Sequence, residues 1–104
     1  MSLADIEFTI ESLKARQLKA RKFQKLMANR EFKELILEDY LKDEPARITT
    51  LLVSPQHREG CLSQLMAISR VAEHLQYLEH MFSTVDADLQ AAEEAREQLL
   101  ADGE

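Results

Sequence analysis

The chain has 104 residues, of which 45% are hydrophobic and 31% are charged, so it can form one modest core and wholesale disorder is excluded. Its single cysteine, Cys61, excludes an intrachain disulfide framework and fits a reducing compartment. The net charge of −6 is unevenly spread, because residues 1–30 carry +4 and residues 61–104 carry −7. We therefore expect basic and acidic helices to attract each other, within the chain or between copies.

The chain contains only two glycines and two prolines, which leaves few positions for turns. This scarcity favours long helices over a β fold with many turns. We predict a single all-α domain over residues 1–104, with about three helices and a short helix that starts at a proline. The long C-terminal helix is expected to take part in a helical hairpin or bundle.

The first segment, residues 1–28, is predicted to be a basic N-terminal helix. Leu3, Ile6, Ile10 and Leu13 recur at spacings of three and four, which places them on one face of a helix. Either Ser2 or Asp5 can cap the first turn.

The second half of this helix carries a run of basic side chains with no acidic residue among them. Such a run could contact the phosphate backbone of a nucleic acid. However, the basic residues point in several directions around the helix and no ladder of aromatic residues interleaves with them for base stacking, so we favour a solvated face or a complement to the acidic helices. The candidate nucleic-acid contacts are Lys14, Lys19, Arg21, Lys22 and Lys25.

Residues 29–54 are predicted to form two short helices. Asn29 can end the first helix and cap the next, whose apolar residues repeat at three and four up to Tyr40 and Leu41. That helix should end before Pro45, because the residue before a proline is pushed away from the α region. Pro45 is well placed at the start of a new helix, and Pro55 marks a second break.

Residues 55–101 are predicted to form the long acidic C-terminal helix. Cys61, Leu65 and Ile68 begin its apolar stripe, which Leu62 and Met66 widen. The run at residues 83–86 is similar to a capping box, with aspartate in place of glutamate, and either breaks the helix or forms a weak turn in it. An unbroken helix over residues 56–101 would be about 65–70 Å long and would favour oligomerisation.

The chemistry-bearing residues do not assemble into a catalytic or metal-binding pattern. His57 and Cys61 have a ligand-like spacing, but a third ligand at a matching spacing is missing. We therefore predict no enzyme activity, no cofactor and no metal, and no apolar run is long enough to suggest a membrane span. The residues predicted to carry the core and interfaces are Phe32, Leu35, Ile36, Tyr40, Leu41, Leu65, Ile68, Leu75, Leu78 and Phe82.

The segment at residues 31–52 resembles a group of small tailed-bacteriophage proteins encoded in structural and morphogenesis gene regions. The matching positions are Phe32, Ile36, Leu37, Tyr40, Leu41, Asp43, Glu44 and Arg47. Further on, the matching positions are Ile68, Leu75, Gln76, Tyr77 and Leu78. The resemblance extends over about residues 14–100, and its motifs include no known catalytic residue.

This resemblance implies a phage virion component or assembly factor, located in the virion or in the host cytoplasm during assembly. Its expected partners are further copies of itself or a larger capsid, neck or tail protein, reached through contacts between helices. Two alternatives remain open at this point. One is a nucleic-acid-binding accessory that uses the basic face at residues 14–25, and the other is a small regulator directed at a host protein.

Overall fold

The computed structural model describes residues 2–103, and within them the chain is all-α, as the sequence predicted. Two helices of 26 residues are separated by shorter helical segments, and a helix of 18 residues follows the second of them. In chain order the elements are α1 Leu3–Ala28, α2 Arg30–Phe32, a π-helix Lys33–Asp43, α3 Glu44–Thr50, a 3-10 helix Leu51–Val53, α4 Arg58–Ser83 and α5 Val85–Asp102.

The chain divides into two compact units. Unit 1 comprises the residues up to Gln24 and those from Glu79 onward, and unit 2 comprises Lys25–Leu78. Each unit has a hydrophobic cluster of its own.

Unit 1 is built on an antiparallel pair of helices, α1 and α5, from the two ends of the chain. Gln17 and Arg21, in the second half of α1, contact Asp86 at the start of α5. Ile6, near the start of α1, shares a groove with Ala92 and Ala95 further along α5. The buried residues between the two helices are Ile6, Ile10, Leu13, Ala20, Val85 and Leu89.

Two local features stabilise the ends of this helix pair. At the start of α1, the Ser2 amide donates to the Asp5 carboxylate at 3.2 Å, and the Asp5 amide donates to the Ser2 hydroxyl at 3.1 Å. This reciprocal pair satisfies amides that the first turn would otherwise leave unpaired. Toward the other end, the rings of Phe23 and Phe82 lie 5.7 Å apart in a tilted arrangement.

The core of unit 2 is smaller and combines α4 with several short elements. Ile48 from α3 packs with Cys61 and Ile68 from α4, and these three are its buried residues. The partly buried side chains around them are Tyr40, Leu41, Leu52 and Leu65. At the start of α2, the Phe32 amide donates to the Asn29 side-chain oxygen at 2.8 Å, which is the cap that the sequence predicted.

The turn before Pro45 differs from the sequence prediction. We expected an α-helix that ends before the proline, but residues 33–43 form a π-helix that continues into α3, and Glu44 keeps helical dihedral angles. The Glu44 amide donates to the carbonyl of Asp39, five residues back, so the turn is wider than an α-turn. In an α-helix the proline ring would clash with the carbonyl four residues before it, and the wider turn relieves that clash.

The second proline behaves differently. Ser54, before Pro55, is extended, and residues 55–57 form a turn, so α4 begins at Arg58 rather than at the predicted Pro55. The extended dihedral angles at Ser54 are those that a following proline favours.

The C-terminal helix is interrupted at Thr84, between α4 and α5. The capping box predicted at residues 83–86 does not form, because the Ser83 hydroxyl donates to the carbonyl of His80 at 2.7 Å. The Thr84 hydroxyl instead donates to the carboxylate of Asp88. No helix runs unbroken over residues 56–101. The expectation of oligomerisation that rested on a helix of that length therefore loses its support.

Candidate protein-interaction surface

Exposed apolar side chains are concentrated on unit 2. Among residues 2–103, eleven large hydrophobic side chains are exposed, and eight of them belong to this unit. The eight are Leu26, Leu35, Leu51, Val53, Leu62, Met66, Val71 and Tyr77. The other three, on unit 1, are Phe8, Leu18 and Leu100. Exposed apolar residues that gather on one part of a small protein indicate a contact surface.

Three of these side chains share one side of α4, which we call the outer face. At roughly 100° per residue, Leu62, Met66 and Tyr77 fall within about 60° of one another. The buried residues Cys61 and Ile68 lie about 130° and 150° around the same helix from the centre of this face. We expected Leu62 and Met66 to widen the buried stripe of this helix, but both are exposed and project away from the core.

The side chains between these apolar residues are charged and exposed. Arg70 and Glu73 lie on the outer face and make no ion pair among residues 2–103. The ring of His74 stacks beside that of Tyr77, with the centroids 6.1 Å apart. The outer face thus combines a thioether, an aromatic ring and one charge of each sign, which is a composition found at protein interfaces.

The two units also differ in net charge. Positions 25–78 carry seven basic and eight acidic side chains, a net charge of −1. Positions 1–24 and 79–104 carry six basic and eleven acidic side chains, a net charge of −5. Unit 2 is therefore close to neutral, and long-range repulsion does little to keep a second protein away from it.

The residues predicted to form the core and interfaces lie at different depths. Ile68 is buried, and Leu35 is 58% exposed. The remaining eight are half-buried, namely Phe32, Ile36, Tyr40, Leu41, Leu65, Leu75, Leu78 and Phe82. Leu35 lies on the outside because the half-buried positions along the π-helix recur every four residues, at 32, 36 and 40 and at 37 and 41, and residue 35 falls outside both series.

A groove of about 380 Å³ opens beside the unit 2 core. Its lining combines Tyr40 and Ile48 with Gln64 and Ile68 of α4, and Glu44 lies at its edge. The Glu44 carboxylate accepts hydrogen bonds from Arg47 at 2.7–3.2 Å. This contact lowers the pKa of Glu44 and raises that of Arg47. Both residues lie in the first turns of α3, so this pair stabilises the start of that helix.

The predicted basic run on α1 divides into two parts. The Arg21 guanidinium lies 3.3 Å from the Asp86 carboxylate, which also accepts a hydrogen bond from Gln17 at 2.8 Å. These contacts lower the pKa of Asp86, and the hydrogen bond from Gln17 has the largest effect. The lysines at positions 14, 19, 22 and 25 are exposed and make no ion pair in the described chain. One of the five candidates therefore complements the acidic helix α5, and four face solvent.

Within residues 2–103, no three histidine, cysteine or carboxylate side chains come together as a metal ion requires. Cys61 is buried in the unit 2 core, whereas His57 is exposed. No polar or charged side chain in the described chain is buried. Each helix in that range is too short or too polar to cross a lipid bilayer.

Sequence reasoning missed the outer face of α4 because it treated every apolar residue of that helix as part of one stripe. The helical angles of residues 62, 66 and 77, measured against those of residues 61 and 68, were sufficient to separate two sides. No protein-family model, curated protein or solved structure matches the chain.

Proposed function

We propose that this chain is a non-enzymatic assembly protein of a tailed-bacteriophage particle, either a small virion component or an assembly factor. It works through contacts between helices, with other copies of itself or with a larger structural protein. The observation that carries the proposal is the set of exposed apolar side chains on unit 2. In water these side chains gain free energy when another protein covers them.

The location of the resemblance supports the phage assignment. Residues 31–52, which resemble the phage proteins, lie wholly within unit 2, the unit that carries most of the exposed apolar surface. The same segment supplies Ile48, whose side chain is 1% exposed and anchors the core of that unit. This segment therefore contributes to the core of the unit on whose surface the apolar residues are exposed.

The resolved pKa shifts arise from local contacts on the surface. They belong to Asp5, Glu44, Arg47 and Asp86, which are stabilised by local hydrogen bonds and ion pairs on the surface. Catalytic acids and bases usually have pKa values that burial and neighbouring charges move toward neutrality. None of these four shifts is toward neutrality.

Quantitative mass spectrometry of purified intact particles tests this proposal, with infected-cell lysate measured in parallel. We expect the chain in the particles at a fixed ratio to the portal protein, or in the lysate bound to a capsid, neck or tail protein. Recovery only in complex with a host protein would contradict the proposal and favour a host-directed regulator.

Four unpaired lysines on α1 keep nucleic-acid binding as a second candidate. If the basic face binds DNA, affinity should fall steeply with salt and be lost when residues 14, 19, 22 and 25 are all changed to glutamate. We expect no such salt-dependent binding, because the lysines surround an exposed leucine, Leu18, and the aromatic residue among them, Phe23, packs against Phe82.

A further inference from the structure

The outer face of α4 is complementary to itself when its direction is reversed. Met66 and Tyr77 lie at equal distances on either side of the midpoint of segment 66–77, and so do Arg70 and Glu73. All four side chains are exposed, Met66 and Tyr77 at 59% and 58%. A helix with this arrangement matches a second copy of itself in the antiparallel direction.

We propose that α4 pairs with α4 of a second copy across a twofold axis at the midpoint of segment 66–77. This inference rests on the proposed function and names the partner at the outer face. Met66 then meets Tyr77 of the second copy, a thioether against an aromatic ring. Arg70 faces Glu73 of the second copy, and the twofold axis makes each of these contacts twice.

The charges on α4 indicate a second copy and not a strongly charged partner. Within unit 2, the charged residues of this helix are Arg58, Glu59, Arg70 and Glu73, two of each sign. A partner of one sign would bring a like charge against either Arg70 or Glu73, which disfavours binding. A reversed copy places opposite charges together, and the net charge of −1 on unit 2 adds little repulsion.

The size of the contact sets its expected strength. One face of one helix buries less surface than the roughly 800 Å² per partner of a standard interface. We therefore expect a dimer that dissociates in the micromolar range or above, on the order of 10–100 µM. Such a dimer is easily weakened by a single charge change.

Sedimentation equilibrium of the full chain, over concentrations that bracket this range, measures the dimer directly. We expect Arg70→Glu and Glu73→Arg each to raise the dimer Kd by about tenfold or more, because each change brings two pairs of like charges together. The double variant Arg70→Glu/Glu73→Arg should restore the original Kd. Lys42→Glu is the matched control, since it makes the same charge change on the π-helix, and it should leave the Kd unchanged.

Three results would overturn the proposal: a chain that stays monomeric throughout, a dimer insensitive to both single reversals, or a double variant that fails to recover. Circular dichroism of each variant confirms that the helices are intact. All the substituted side chains are exposed, so folding is expected to be unaffected.

Disulfide cross-linking tests the register and direction of the pairing. In a Cys61→Ala background, which removes the only cysteine, chains carrying Met66→Cys are mixed with chains carrying Tyr77→Cys and oxidised. We expect cross-linked dimers between the two kinds of chain and few from either variant alone. In the antiparallel register two copies of position 66 lie about 16 Å apart, beyond disulfide reach. Efficient cross-linking of Met66→Cys with itself would contradict this register.

The particle experiment separates this inference from the proposed function. If Arg70→Glu abolishes self-association but the chain is still recovered with a larger phage protein, the proposed function stands. If the dimer forms as described but the chain is found only with host proteins, the twofold pairing stands and the assembly role fails. If the chain is monomeric yet present in particles, the second copy is not the occupant of this face.

Discussion

The two units of this chain treat their apolar residues in different ways. In unit 1, α1 and α5 cover each other, and three large apolar side chains remain exposed. In unit 2, α4 and several short helical segments enclose three buried residues and leave eight large apolar side chains exposed. Unit 1 is also acidic, whereas unit 2 is close to neutral. The helices of unit 1 cover most of each other's apolar residues, which suits a role in stability. Unit 2 leaves more apolar side chains exposed to solvent, which suits a role in association.

The largest change in the free energy of unfolding should come from substitutions in the two cores, and it would distinguish buried from exposed apolar positions in each unit. We expect Ile48→Ala in unit 2 and Ile10→Ala in unit 1 each to lower the free energy of unfolding by about 2–4 kcal/mol, because both side chains are almost fully buried. Leu35→Ala and Leu18→Ala, at exposed positions, should each change it by less than about 0.5 kcal/mol. Chemical denaturation measures all four. A loss at Leu35 as large as at Ile48 would contradict the surface assignment of Leu35.

A smaller loss is expected at the cap that begins the short helices of unit 2. Asn29→Ala should lower the free energy of unfolding by about 1 kcal/mol, because the Phe32 amide loses its acceptor. Asn29→Asp keeps an acceptor oxygen and should cost much less. Equal losses in the two variants, measured by thermal and chemical denaturation, would show that the hydrogen bond is not what stabilises this turn.

Several helix ends could be predicted from the sequence because they depend on local chemistry. The predicted bounds of α1 agree with the structure, and Asn29 caps the next helix, since a side-chain oxygen bonds an amide three residues away. The predicted start of a helix near Pro45 also agrees with α3. These features need no knowledge of distant parts of the chain.

The features that could not be predicted depend on choices between similar local energies. A proline disfavours a helical residue before it by a modest amount, so Glu44 stays helical within a widened turn whereas Ser54 becomes extended. The π-helix changes which side chains share a face, and this moved Leu35 outward. For the interaction surface, α4 could be predicted as a helix, but its buried side depended on where α3 packs.

Polar substitutions of the exposed apolar residues test whether the two units differ in their role in association. Polar variants of unit 2, such as Met66→Gln with Leu62→Gln, should leave the free energy of unfolding within about 0.5 kcal/mol and weaken association. The matched variants Phe8→Gln and Leu18→Gln in unit 1 should change neither quantity. Denaturation and sedimentation of both sets are required. If only the unit 1 variants lost association, the contact surface would lie on unit 1 and the assignment to unit 2 would be wrong.

The smallest effect should be the acid dependence of the unit 1 ion pair. Hydrogen bonds from Gln17 and Arg21 lower the pKa of Asp86 below its ordinary value of 3.8. The stability that Asp86 contributes is therefore present above the pKa of the unfolded chain and is lost as the pH falls through the lower folded value. Asp86→Asn should flatten the fall in unfolding free energy below about pH 4. Identical slopes for both proteins would show that the carboxylate adds nothing, as screening permits for an exposed pair.

Hydroxyl-radical footprinting of the chain, free and in its assembled state, tests most directly whether unit 2 carries the contact surface. The exposed side chains of both units serve as probes, with Met66 and Tyr77 reporting on unit 2 and Phe8 and Leu18 on unit 1. We expect assembly to protect Met66 and Tyr77 from oxidation while Phe8 and Leu18 stay as reactive as in the free chain. Protection of Phe8 and Leu18, with Met66 and Tyr77 unchanged, would contradict the central claim.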